Sequence, residues 1–133
     1  MPVSRDPSQL DGVARTLAAA GLLTSLVARV TGGELDSEAA AAAVSRTLVA
    51  HADARARLGL TQPPPRFRRS ATLLERWLDA SLRDVLAVES WLARQRVGSD
   101  AGHYLKEHEA AAREARAAEA AFRREYARAR GAE

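Results

Sequence analysis

Apolar positions along the chain recur at spacings of three and four, the period of one helical face, and no segment alternates with the period of a strand. The first such run carries Leu10, Val13, Leu17, Ala20, Leu23, Val27 and Val30, with Leu22 and Leu26 widening its face. It predicts a helix over about 8–31, ended by Thr31-Gly32-Gly33, where glycine tolerates the left-handed conformation past a helix C-terminus. Gly21 interrupts this helix at about 1 kcal/mol against alanine, which points to close approach of a neighbour or a local break.

Asp36 or Ser37 is placed to cap a second helix over 36–58, with Glu38 in the first turn, where the helix dipole favours a negative charge. Five alanines, Ala39 to Ala43, follow, and Val44, Leu48 and Val49 make only a thin stripe, so close packing through small side chains is expected. Gly59 ends it. The segment from Leu60 to Arg69 contains Pro63, Pro64 and Pro65, which cannot continue a helix.

A third helix over 70–97 opens at Ser70 or Thr72, the latter in capping-box spacing with Glu75. Leu73, Leu74, Trp77, Leu78, Leu82, Val85, Leu86, Val88, Trp91 and Leu92 make it the most apolar element. A helix apolar over most of its circumference must be covered on several sides, by its own partners or by another copy. Asp84 and Glu89 intrude on this face and require arginine partners if buried.

Val97-Gly98-Ser99-Asp100 reads as a turn, with Ser99 or Asp100 capping a fourth helix over 100–130. Its inner stripe is Tyr104, His108, Ala111, Ala115, Ala118, Phe122 and Tyr126. Its outer face pairs Glu109 with Arg113 and Glu119 with Arg123 at i,i+4. The expected fold is therefore all-α: one antiparallel bundle of about four helices, two helical hairpins joined by a proline-rich linker.

At 133 residues the chain has the size of one domain with one core. It has no cysteine, which excludes disulfides, thiolate metal sites and a cysteine nucleophile and makes the reducing cytoplasm the expected compartment. Lys106 is the only lysine, and the excess of arginine and alanine reflects a composition that favours helix. A net charge of +3 bears on solubility more than on partner choice. The longest uncharged stretch, Thr16 to Ala28, falls short of the ~20 apolar residues that span a bilayer, so no membrane partner is expected.

The candidate chemistry is sparse. No phosphate-binding loop is present, and the paired Glu-x-x-His elements of di-iron bundles are missing. His103, Glu107 and His108 cluster at the start of the fourth helix, but two ligands on one face make no metal site without a third from Asp100 or His51. No metal and no cofactor are expected.

Arg46 and His51, separated by four residues, resemble the arginine-to-histidine element of the HEPN ribonucleases, with Thr47 in place of the usual polar residue after the arginine. The resemblance spans six residues. It implies a dimer in which Arg46 and His51 of both chains meet and cleave RNA without metal. Histidine would move protons, and arginine would steady phosphate charge. Arg96 and His103 satisfy the longer spacing too, as an arginine-rich composition produces by itself.

Arg66, Phe67, Arg68 and Arg69 form the tightest basic cluster, in which an aromatic ring could stack on a base while arginines hold phosphate. Trp77 and Trp91 lie two heptads apart on one side of the third helix, flanking its leucine stripe, as intersubunit hot-spot residues do. With Asp84 they are the expected interaction residues. The leading expectation is a non-enzymatic helical module that binds a protein partner or self-associates through the third helix. Ribonuclease and nucleic-acid-binding readings are the alternatives.

Overall fold

The computed structural model describes residues 7–19, 23–98 and 102–131. Its helices are α1 (Ser8–Ala19), α2 (Leu23–Thr31), α3 (Ser37–Gly59), α4 (Arg68–Arg96) and α5 (Gly102–Gly131), with a short 3-10 turn at Pro65–Phe67. The first predicted helix thus corresponds to α1 and α2. Gly21 and the proposed caps Ser99 and Asp100 lie outside the described residues.

Local chemistry sets most of the ends. The Asp36 carboxylate accepts from the Ala39 N–H at 2.7 Å and so caps α3, satisfying one of the donors left open at a helix start. Gly33 adopts φ 77° after α2, where Glu34 N–H returns to the Arg29 carbonyl at 2.9 Å. Gly98 does the same after α4 with φ 74°.

The start of α4 differs from expectation. It opens at Arg68, before Ser70 and Thr72, and Thr72 makes no capping box: its hydroxyl donates to the Arg68 carbonyl at 3.2 Å from within the helix. The prolines are the cause. Pro65 starts the 3-10 turn with its preset φ, Phe67 N–H bonds the Pro64 carbonyl at 2.9 Å, and the α-helix grows straight from that turn.

The helices alternate in direction. Phe67 meets Tyr126, Trp77 meets Phe122 and Arg83 meets Glu114, so α4 and α5 run antiparallel along their length. Arg55 of α3 pairs with Asp79 of α4. Arg57 of α3 donates to the Thr16 hydroxyl of α1 at 2.5 Å. The result is an antiparallel bundle in which α1 and α2 together occupy one of four helical positions.

Two apolar clusters form the core. Leu10, Val13, Leu17, Phe67, Leu74, Trp77, Leu78 and Phe122 fill one end, and Leu23, Val44, Val85, Val88, Trp91 and Leu92 fill the other. Each fully buried leucine or valine contributes about 1.5–3 kcal/mol of transfer free energy. Ala40 and Ala54 of α3 are wholly buried, as close approach through small side chains requires, whereas Val49 is 70% exposed. The stretch Ser8–Thr31 is long and apolar enough to cross a membrane by length and composition. In the bundle its Leu10, Val13, Leu17 and Leu23 are buried against the other helices.

Candidate functional site

The two apolar clusters are separated by a layer of buried polar side chains. On α3, His51 lies between Val44 of one cluster and Ala54 of the other. On α4, Asp84 lies between Leu78 and Val85, and on α5 His108 lies between Leu105 and Ala115. His108 Nδ1 hydrogen-bonds Asp84 Oδ1, joining α4 to α5 in the interior. The partner of Asp84 is thus a histidine, not the arginine expected, while Glu89 is exposed and needs none.

His51 is 3% exposed. Its Nδ1–H donates to the Thr47 carbonyl at 2.8 Å within its own helix, and its Nε2 is buried without a hydrogen-bond partner among the described residues. Burial pushes its pKa below the ordinary histidine value, against the opposing pulls of the Thr47 carbonyl and the Asp84 charge.

A cleft of about 270 Å³ opens over this layer between α1, α2 and α5, lined by Leu17, Thr24, Trp77, Ser81, Asp84 and Arg116 among others. His108 lines an adjoining cleft between α2 and α5. No hydrogen bond among the described residues links the imidazole to Ser81 or Thr24. The carboxylate–imidazole pair joins two buried groups across α4 and α5.

The second feature is the outer seam of α4 and α5. Two shallow grooves of about 440 and 360 Å³ run along it, meeting at Arg83, and both are lined by α4 and α5 alone. Their floor is small and apolar: Ala80 and Ala87 from α4, Ala110, Ala117 and Ala121 from α5. Leu86 stands at the edge, 45% exposed. The Arg83–Glu114 ion pair bridges the two helices across the seam.

The expected site residues fall in different places. Trp77 is 3% and Trp91 2% exposed, each packed into a different apolar cluster of its own chain. Neither indole stands on the outer surface of the bundle, though Trp77 lines the cleft between α1, α2 and α5. Large side chains at the margin of an apolar stripe close the seams of the bundle here, because α5 and α3 cover both margins of α4.

Arg46 is exposed and His51 buried, and at 100° per residue the five steps between them set the two side chains about 140° apart around α3. They are not brought together on one surface. Phe67 is wholly buried, with its ring 5.5 Å from that of Tyr126, while Arg66, Arg68 and Arg69 are exposed. The Phe67 ring faces the core and carries the Arg66 guanidinium 5.1 Å from its centroid, so it is stacked within its own chain rather than presented to a base. His103 and Glu107 are exposed, His108 faces Asp84, and among the described residues no three His, Asp or Glu side chains are grouped to hold a metal ion.

Of the surface pairs, Glu119 and Arg123 bond at 2.8 Å, while Glu109 and Arg113 form no ion pair among the described residues. The Asp84–His108 bond is missed by sequence reasoning because it depends on the register between two helices. The groove floor is missed because alanine is equally common in cores and on surfaces. Comparison with family models, characterised proteins and solved structures finds no match to this chain.

Proposed function

We propose that this chain is a non-enzymatic helical interaction module that self-associates through the outer face of α4 and α5. The observation that carries the proposal is the seam itself: two adjoining grooves with small apolar floors, lined among the described residues by α4 and α5, with Arg55 of α3 reaching their margin at Asp79. Helices of 29 and 30 residues are about 44 Å long. Side by side they present roughly 800 Å² to a partner, the area that each side of a standard specific interface contributes. Alanine-lined helix faces permit close approach of another helix, and Leu86 supplies a side chain large enough to fill a groove.

The polar core layer serves this module as a fixed register between α4 and α5. A buried hydrogen-bonded pair holds one alignment of two otherwise alanine-rich helices, and thereby holds the groove in one shape.

Sedimentation velocity on the full-length chain over a hundredfold range of concentration tests the proposal. A mass that rises with concentration, and falls to that of one chain in Leu86→Glu with helical circular dichroism unchanged, is the expected result. A single-chain mass at every concentration overturns it.

A further inference from the structure

The positive charge of the chain is not spread evenly. At one end of the bundle the last two turns of α5 pack against the 3-10 turn and the start of α4, with the Tyr126 ring 5.5 Å from that of Phe67. The segments 65–74 and 124–131 that meet there hold six arginines, Arg66, Arg68, Arg69, Arg124, Arg128 and Arg130, and one carboxylate, Glu125. This excess is larger than the net +3 of the whole chain, so the remainder is net negative. All six arginines are exposed. The basic cluster of the proline loop is thus half of a patch whose other half comes from the far end of the chain.

The two halves are in electrostatic contact. Arg128 donates to Glu125 at 3.1 Å and holds its carboxyl below the usual range, and Arg69 of α4 lowers it further from the neighbouring helix. The guanidinium groups of Arg66 and Arg130 lie 5.1 and 5.7 Å from the ring centres of Phe67 and Tyr126. These rings hold arginines in place instead of presenting their faces to bases. A single carboxylate leaves the patch strongly positive.

We infer that this end of the bundle binds the phosphate backbone of a nucleic-acid duplex, with Arg68, Arg69, Arg124 and Arg128 as the central contacts. Guanidinium groups stay charged and offer paired N–H donors to phosphate oxygens. Arg124 and Arg128 lie one turn apart, about 6 Å along α5, and Arg68 and Arg69 stand on the first turn of α4. The cations are therefore held at fixed spacings by rigid helices, which suits a regular array of phosphates.

Two observations select this partner among polyanions. Phe67 is wholly buried and Tyr126 half-buried, so the patch has no exposed ring on which the unpaired bases of a single strand would stack. The exposed large apolar side chains, Val49, Leu60, Leu86 and Val97, all lie outside the two segments, so the patch itself has nothing to insert into a lipid surface. The patch belongs to one chain, and the inference stands or falls separately from self-association through the seam.

Fluorescence anisotropy of the full-length chain with labelled DNA and RNA duplexes of about two helical turns tests it. Affinity is expected to be independent of base sequence and to fall between about 50 and 200 mM salt with a log–log slope of about −3 to −5, as four to six neutralised phosphates require. Arg69→Glu and Arg124→Glu should each weaken binding about tenfold or more, with helical circular dichroism unchanged. Arg46→Glu makes the same change in net charge from an exposed position on α3, two residues from Val44 of the other apolar cluster, and should change binding by less than about threefold.

Equal losses from Arg46→Glu and the patch variants overturn the site, since net charge alone then attracts the duplex. Absence of binding to both duplexes at the lowest salt, or an affinity flat in salt, overturns it as well. A single strand bound more tightly than either duplex, or phosphatidylserine vesicles bound more tightly than nucleic acid, overturns the assignment of the partner.

Discussion

Asp84 of α4 and His108 of α5 meet in the interior of the bundle, carboxylate to imidazole, at the level between its two apolar clusters. Both side chains are almost completely buried. Each satisfies a group that would otherwise be buried without a partner, and this makes the pair far more costly to halve than to remove.

Replacing Asp84 or His108 singly by alanine should therefore destabilise the fold by about 3–5 kcal/mol, because the remaining group stays buried without its partner. The double replacement Asp84→Ala with His108→Ala should cost clearly less than the sum of the two single losses. Urea unfolding of the four proteins of this cycle measures it. Equal and additive losses from the two single replacements would show that the pair is not coupled.

His51 makes stability depend on pH in a defined direction. Its pKa is lowered by folding from the ordinary 6.5, so the unfolded chain binds the proton more readily. The folded state is then at full strength above about pH 6.5 and loses stability as pH falls through that value toward the lowered folded pKa. His51→Leu removes this contribution, and the difference in unfolding free energy between variant and parent should grow as pH drops from 7 to 5. A constant difference over that range would place the acid sensitivity elsewhere.

Ser70 is wholly buried at the start of α4, and its hydroxyl has no hydrogen-bond partner among the described residues. An unsatisfied buried hydroxyl costs ~1–3 kcal/mol of desolvation, and alanine is also the better helix former. Ser70→Ala should raise the melting temperature by a few degrees. A drop would reveal a hydrogen bond that the serine makes in solution.

Trp91 fills the cluster that also contains Leu23, Val44 and Val88. Trp91→Ala should cost about 3–5 kcal/mol by leaving a cavity, and a charged replacement should prevent folding. Leu86→Ala, on the exposed side of the same helix, should change stability by less than about 0.5 kcal/mol while weakening association. Parallel measurement of unfolding and of mass separates the two roles.

The helical period, the alanine content and the punctuation by glycine and proline were enough to determine an all-α bundle, the limits of α3 and α5 to within two residues, a cap at Asp36 or Ser37, the stop at Gly32-Gly33 and the turn at Gly98. These are local properties: a side chain, a backbone conformation and a hydrogen bond within a few residues decide each of them. The proline turn that starts α4 is also in the sequence, but three consecutive prolines predict a break as readily as the turn from which a helix grows.

What the sequence left open belongs to relations between helices. The same apolar character suits Trp77 and Trp91 to the core and to an interface, and only the packing of α3 and α5 on either side of α4 decided for the core. Asp84 could have sought an arginine anywhere, and the antiparallel register brought it His108 instead. Periodicity specifies which face of a helix is buried, but register and direction between helices are set by the packing of the whole chain, and there the site of this protein is decided.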